Sequence, residues 1–154
     1  MPARECKILS PGQTRWLSLE NCVNRLLEQL PALKLYFLAE YAEDKTKTCN
    51  TILEALNNPL TKPFLYFVSY ALGQFNKFNK AFQSEKPMLH ELQDRVTALV
   101  LTFAQNFLNT EYIRSQDIFK LDPFKSSENL PMENIYLGEM ISATYYYFTS
   151  TLFL

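Results

Sequence analysis

Apolar side chains recur at helical spacing over two long stretches of this chain. In the first stretch the steps are 4, 3, 4, 3 and 4 residues, as on one face of an α-helix: Phe64, Val68, Ala71, Phe75, Phe78 and Phe82. A second stripe follows, made of Leu89, Leu92, Val96, Leu99, Phe103 and Phe107. The pattern predicts helices over 61–84 and 87–108, joined as an antiparallel pair by a short turn at 85–87.

Shorter apolar stripes predict further helices on either side of this pair. Ser18 is a suitable N-cap for a first helix, and Pro31 is expected to end it and to open a second helix that reaches Ala42. Thr46 is a candidate cap for a helix over 48–57, and a short helical turn is expected over 111–115. Because the chain has only three glycines in 154 residues, a turn-dense β architecture is disfavoured. The predicted fold class is all-α, a bundle of about five main helices with an irregular N-terminal lead and C-terminal tail.

Breaks in these patterns divide the chain into four parts. Residues 1–17 are expected to be an irregular lead-in, and residues 18–115 the helical bundle. Residues 116–138 contain Pro123, Pro131 and Gly138 and are expected to be loop-rich. Residues 139–154 are an apolar, β-prone tail of doubtful origin, too short for a membrane helix of about 20 residues. We therefore expect no membrane association.

Charge and cysteine content limit the classes of partner. The net charge is −1, so no global basic field attracts nucleic acid, although residues 1–34 and 62–86 are locally basic. The three cysteines have no CxxC spacing, and residues 1–13 lack the apolar run of a secretory signal. We therefore expect free thiols in a reducing compartment and a protein that is not secreted. One histidine excludes a multi-histidine metal site, and we expect no metal and no cofactor.

No motif points to catalysis. The chain has no HExxH, GxSxG or Walker sequence, and its acidic residues fall on polar helix faces or in loops. His90 has no cysteine close to it in the sequence. We therefore expect no enzymatic activity and no small-molecule substrate.

The pair Arg15-Trp16 contains the only tryptophan of the chain and allows two interpretations. In the first, Trp16 packs onto the first helix as a hydrophobic staple and Arg15 is a surface charge. In the second, the pair contacts a ligand. On the helix over 61–84, Lys77 and Lys80 similarly present either a solvated face or a phosphate contact.

Several blocks, in order along the chain, resemble transposases of the hAT superfamily, most closely the domesticated and BED-zinc-finger-associated animal members. The N-terminal blocks are Lys7–Leu9, Gln13–Leu19, Arg25–Leu27 and Leu30–Leu33. The later blocks are Asn58–Lys62, Phe75–Asn79, Phe82–Pro87, Leu130–Pro131 and Ile135–Gly138. The resemblance covers about residues 7–138, and its specificity lies in the combination of the Arg-Trp pair with the later blocks.

The resemblance implies a specific origin for the helices. In hAT transposases a large helical domain is inserted in an RNase H-like core with a metal-binding DDE triad, and the Arg-Trp motif lies near the start of that insertion. Its tryptophan is thought to stack on a DNA base, as aromatic side chains do with flipped bases. Arg15, Trp16, Lys77 and Lys80 are therefore the candidate DNA-contact residues, and the family implies a nuclear location, with the cytoplasm as the alternative.

The departures from the family pattern are equally informative. The three catalytic carboxylates are expected outside the sequence in hand, and the Cys and His pairs of a BED zinc finger are missing from it. We expect a catalytically inactive transposase-derived fragment with weak DNA contact. The alternative is a helical protein–protein interaction module with no role in nucleic-acid binding, which uncovered apolar surface would favour.

Overall fold

A computed structural model describes residues 15–83 and 89–138, and of residues 15–17 only the backbone. The described residues contain five α-helices: α1 (Arg15–Glu43), α2 (Lys47–Asn57), α3 (Thr61–Phe82), α4 (Leu92–Phe107) and α5 (Thr110–Ser115). Their β structure is limited to one isolated antiparallel bridge between Leu108 and Asn129. The predicted all-α class with about five main helices is thus confirmed. The expected tail over 139–154 and most of the expected lead-in lie outside the described residues.

α1 is one continuous helix of 29 residues, and two predictions about it are wrong. The backbone of residues 15–17 is already helical, so Ser18 lies inside the helix and is not its N-cap. Pro31 also lies inside α1 and does not end it. A proline removes one backbone hydrogen bond, but packing on both sides compensates: Val23 and Leu30 are buried, and α1 packs against α2.

Short polar caps fix the positions of the next two helices. The Thr46 hydroxyl accepts a hydrogen bond from the Cys49 backbone N–H at 3.3 Å, which confirms the predicted cap of α2. The buried Cys49 thiol in turn donates to the Phe37 carbonyl of α1, with 3.4 Å between sulfur and oxygen. At the other end of α2 the Asn58 side chain accepts from the Leu60 N–H at 2.9 Å. This closes the turn into α3 at Thr61.

The chain divides into two compact units, Met1–Leu72 and Gly73–Leu154. The division falls inside α3, at a glycine, the residue that weakens a helix interior most after proline. In the first unit, the Ser69 hydroxyl of α3 donates to the Asn24 side-chain oxygen of α1. Among residues 18–72, the buried apolar side chains are Val23, Leu30, Cys49, Leu56 and Leu72.

The second unit pairs the carboxyl-terminal half of α3 with α4. The Phe75 and Phe103 rings stack with centroids 5.3 Å apart, and the Arg95 guanidinium lies 5.9 Å from the Phe82 ring centroid. Because residues 75 and 82 meet residues 103 and 95 in reverse order, the two segments run antiparallel, as expected. A 3-10 turn over Leu89–Glu91 precedes α4, so the regular helix begins later than residue 87.

After α5 the chain returns to the carboxyl end of α4. Three backbone hydrogen bonds hold this return: Asn109 N–H to Glu128 O (2.8 Å), Leu130 N–H to Phe107 O (2.8 Å) and Tyr136 N–H to Asn106 O (3.1 Å). We call residues 116–138 the return segment. It contains three 3-10 turns, over Ile118–Lys120, Ser126–Glu128 and Met132–Asn134. The segment is therefore attached to α4 by main-chain pairing although it contains no α-helix.

Replacing Pro31 by Ala is expected to stabilise the chain. Alanine restores a backbone N–H to the helix and removes the cost of proline in a helix interior, about 3 kcal/mol. The more flexible alanine also favours the unfolded chain, by about 0.4–1 kcal/mol. Urea unfolding should therefore show a gain of about 2 kcal/mol. Pro59→Ala, in the turn between α2 and α3, is the control and should destabilise. A loss on Pro31→Ala would show that α1 is not continuous in solution.

Candidate functional site

The four residues predicted to contact DNA fall in the two different units. Arg15 and Trp16 lie in the first turn of α1, where the structure describes their backbone alone. Lys77 and Lys80 lie three residues apart on α3 in the second unit, and both side chains are exposed. The DNA-contact role of these four residues stays a prediction.

The described part of the chain offers no candidate metal site. No group of three or more His, Cys, Asp or Glu side chains that could hold a metal ion occurs within residues 15–83 and 89–138. His90 is exposed, and its Nε2 lies 3.5 Å from the Glu91 carboxylate. Among the described helices, none has the length and hydropathy needed to cross a membrane.

An apolar stripe on α1 is exposed. Leu35 and Leu38 are 69% and 56% exposed, and Pro31 and Ala42 on the same face are exposed as well. The steps between these four residues are 4, 3 and 4, which places them in one row along the helix. We call this row the α1 stripe. Large aliphatic side chains in a row on one helix face are the usual seam for packing against another helix.

Tyr36 is exposed close to the α1 stripe and interacts with Glu40, one helical turn further on. The hydrogen bond to the Glu40 carboxylate, and then its negative charge, raise the pKa of Tyr36 above the ordinary value of 10.0. Both effects favour the protonated phenol. The Tyr36 side chain is thus neutral at physiological pH, and the stripe has an uncharged aromatic neighbour.

A larger apolar feature, which we call the cleft, lies within the second unit. It has a volume of about 690 Å³. Its walls come from α3, α4 and the return segment. The lining residues are Phe75, Leu99, Val100, Phe103, Ala104, Phe107, Leu108, Ile118, Phe119, Leu121, Pro123, Asn129 and Ile135. Asn129 is the one polar residue in this lining.

The charged residues of the return segment near the cleft interact with one another. Lys120 lies 3.9 Å from the Asp117 carboxylate, and Lys125 lies 3.2 Å from that of Glu128. The Asp122 carboxylate accepts a hydrogen bond from the Phe124 N–H at 2.9 Å. These contacts are all local, within three residues along the chain, so the charges of each ion pair largely offset each other.

The cleft is the feature that the sequence analysis missed. Its wall residues come from three parts of the chain, around residues 75, 99–108 and 118–135, and helical periodicity does not connect them. The signal that could have found it is the apolar content of the return segment. The return segment was expected to be loop-rich, yet it contains Ile118, Phe119, Leu121 and Ile135, whereas loops at a protein surface are usually polar.

Removing the Glu40 carboxylate should lower the pKa of Tyr36 toward 10.0. Glu40→Ala deletes the two largest causes of the rise, whereas Glu43→Ala is the matched control. The carbon-13 chemical shift of the tyrosine ζ carbon, followed against pH, measures the change. Because the folded-state pKa is raised, the interaction stabilises below about pH 10 and is lost as pH rises through the folded-state pKa. An unchanged Tyr36 titration in Glu40→Ala would contradict the pairing.

Comparison of the chain with protein-family models, curated proteins and solved structures finds no match. The resemblance to hAT transposases therefore rests on the sequence blocks given above. What that resemblance implies for function stays a proposal. The exposed α1 stripe and the cleft are consequently interpreted from their own geometry and chemistry.

Proposed function

We propose that the chain is a catalytically inactive, hAT-transposase-derived helical module that binds a protein partner through the α1 stripe. The observation that carries this proposal is the exposure of Leu35 and Leu38 in one row of α1. The position of those side chains lets a partner cover both at once. A nuclear location is part of the proposal and comes from the family resemblance alone.

The energetics of the stripe favour association. Burying one leucine side chain fully is worth about 1.5–3 kcal/mol. Both leucines remain in water in the folded chain, so most of this free energy is available to a partner. Binding must also offset the loss of translational and rotational freedom and the ordering of side chains. Most of the free energy of binding is therefore expected from Leu35 and Leu38, and the neighbouring residues contribute shape complementarity.

The spacing of the stripe indicates the kind of partner. Rows with alternating steps of 3 and 4 residues pack into the matching row of a second helix. The α1 stripe extends over 12 residues, from Pro31 to Ala42, or about 17 Å along the axis at about 1.5 Å per residue. An amphipathic helix of three turns in the partner would cover it. In the family that the chain resembles, the helical insertion belongs to a larger transposase, where such surface is expected to meet protein.

Site-specific photocrosslinking tests this proposal. A benzophenone amino acid at position 35 or 38, in cells that express the chain, should form an adduct with one protein, whereas the same group at Glu43 should not. The purified partner should then bind Leu38→Glu at least tenfold more weakly, which is about 1.4 kcal/mol. Helix content should be unchanged, because Leu38 is exposed.

Two results would contradict this interpretation of the stripe. One is the lack of an adduct at positions 35 and 38. The other is a purified partner whose affinity is the same for the Leu38→Glu variant and the parent chain. An adduct that forms equally at Glu43 counts against the stripe in the same way.

We also propose weak contacts with DNA, one through Arg15 and Trp16 in the first unit and one through Lys77 and Lys80 in the second. The observation that favours it is the exposure of Lys77 and Lys80, which make no ion pair with a described residue. Such side chains are available to phosphate oxygens. Because the chain has a net charge of −1, these contacts must act locally, and the affinity is expected to be low and dependent on salt.

Titration with a hairpin-ended DNA, followed by the fluorescence of the sole tryptophan, tests the contact. Binding should weaken by severalfold between about 50 mM and about 200 mM salt. It should weaken again in Lys77→Ala/Lys80→Ala, whereas Lys45→Ala/Lys47→Ala is the matched control. Trp16→Phe, whose binding is followed by the anisotropy of dye-labelled DNA because this variant has no tryptophan, should reduce any preference for the hairpin over a blunt duplex. Equal effects of the two lysine pairs would indicate nonspecific attraction and reject the site.

A further inference from the structure

We infer that the cleft of the second unit is a binding site for an uncharged aromatic or aliphatic small molecule that has at most one hydrogen-bonding group. This inference is independent of the proposed function, because the α1 stripe belongs to the first unit. It concerns a bound ligand and no reaction.

The size and the lining of the cleft indicate the ligand class. Its volume of about 690 Å³ lies within the range of about 300–1,000 Å³ that small-molecule sites usually have. Twelve of its thirteen lining residues are apolar. Four of them are phenylalanines, at positions 75, 103, 107 and 119, and the first two already stack on each other. Flat aromatic or aliphatic groups match such walls.

The electrostatics exclude a charged ligand. No lining residue carries a formal charge. On the return segment, Asp117 pairs with Lys120 and Lys125 pairs with Glu128. An ionised group that entered the cleft would lose its hydration without gaining a counter-charge, which is strongly unfavourable. The ligand that the cleft accepts is therefore neutral.

Polar groups also limit the ligand. Asn129 provides the one polar side chain of the lining, and its backbone N–H already donates to the Ser126 carbonyl at 3.4 Å. An extended peptide would bring several backbone N–H and C=O groups into the cleft and leave most of them without partners. A small molecule with a single hydroxyl, carbonyl or amide group avoids that penalty. This favours a small molecule over an extended polypeptide segment.

The cleft is formed before any ligand binds. One wall, the return segment, is held to α4 by the backbone hydrogen bonds of Leu130 and Tyr136, and to the start of α5 by that of Asn109. The Tyr112 hydroxyl adds a further contact by accepting from the Asp122 N–H at 3.2 Å. A preformed wall reduces the entropy lost on binding. Phe119, which is 56% exposed, lies in the lining and can make closer contact with a ligand.

The test uses two fluorescent probes with the full chain. N-phenylnaphthylamine is neutral and apolar, whereas anilinonaphthalene sulfonate carries a negative charge on a similar ring system. The neutral probe should bind with a saturable 1:1 stoichiometry, and its affinity should be unchanged when salt is raised. The sulfonate should bind at least tenfold more weakly.

Three variants locate the bound probe. Phe119→Ser should weaken binding of the neutral probe at least fivefold. Phe124→Ser is the matched control, because Phe124 is 90% exposed and is not in the lining, and it should change affinity less than twofold. Ala104→Phe fills the cleft from α4 and should abolish binding. Circular dichroism and thermal melting establish which variants are folded. If Ala104→Phe does not fold, the comparison of Phe119→Ser with Phe124→Ser locates the bound probe.

Several outcomes would overturn the inference. Binding of the neutral probe that does not saturate, or that falls equally in Phe119→Ser and Phe124→Ser, would show general surface hydrophobicity. Tighter and salt-dependent binding of the sulfonate would show an anion site. Lack of saturable binding by the neutral probe would reject the cleft as a small-molecule site. None of these results bears on crosslinking at positions 35 and 38.

Discussion

The architecture of the second unit depends on the backbone pairing between the return segment and the carboxyl end of α4. A helix leaves its last carbonyl groups without intrahelical partners. Here the Asn106 and Phe107 carbonyls accept from Tyr136 and Leu130. This pairing places the apolar residues of a segment without α-helix opposite those of α4. Main-chain hydrogen bonds thus create a wall that side-chain periodicity alone would not produce.

The first unit uses its apolar residues differently. α1 is apolar over much of its circumference, and α2 covers only part of it. The hydrogen bond from Cys49 to the Phe37 carbonyl marks the covered side, while Leu35 and Leu38 remain in water. Burial of such a row by a partner is favourable because it removes apolar side chains from water. Exposed patches of this kind commonly mark interaction surfaces.

Regular periodicity made the helices predictable, and local exceptions to it caused the errors. The stripe from Phe64 to Phe82 predicted α3 to within two residues, and Thr46 was correctly identified as a cap because its role depends on neighbouring residues alone. Pro31 was misread because its effect on a helix depends on the packing of both flanks, which the sequence does not show. The cleft could not be predicted, since the pairing of Leu108 with Asn129 joins residues that no local rule connects.

The ion pairs between lysine or arginine and acidic side chains in the described residues have a consequence for protein engineering. Each joins residues three or four positions apart: Arg25–Glu28, Glu91–Arg95, Asp117–Lys120 and Lys125–Glu128. Local, exposed pairs of this kind contribute little to stability, so apolar contacts and backbone hydrogen bonds hold the tertiary structure. The surface charge of the chain can accordingly be redesigned toward a larger net charge to improve colloidal solubility. Such redesign would offset the tendency of the exposed leucines and phenylalanines to aggregate while the fold is preserved.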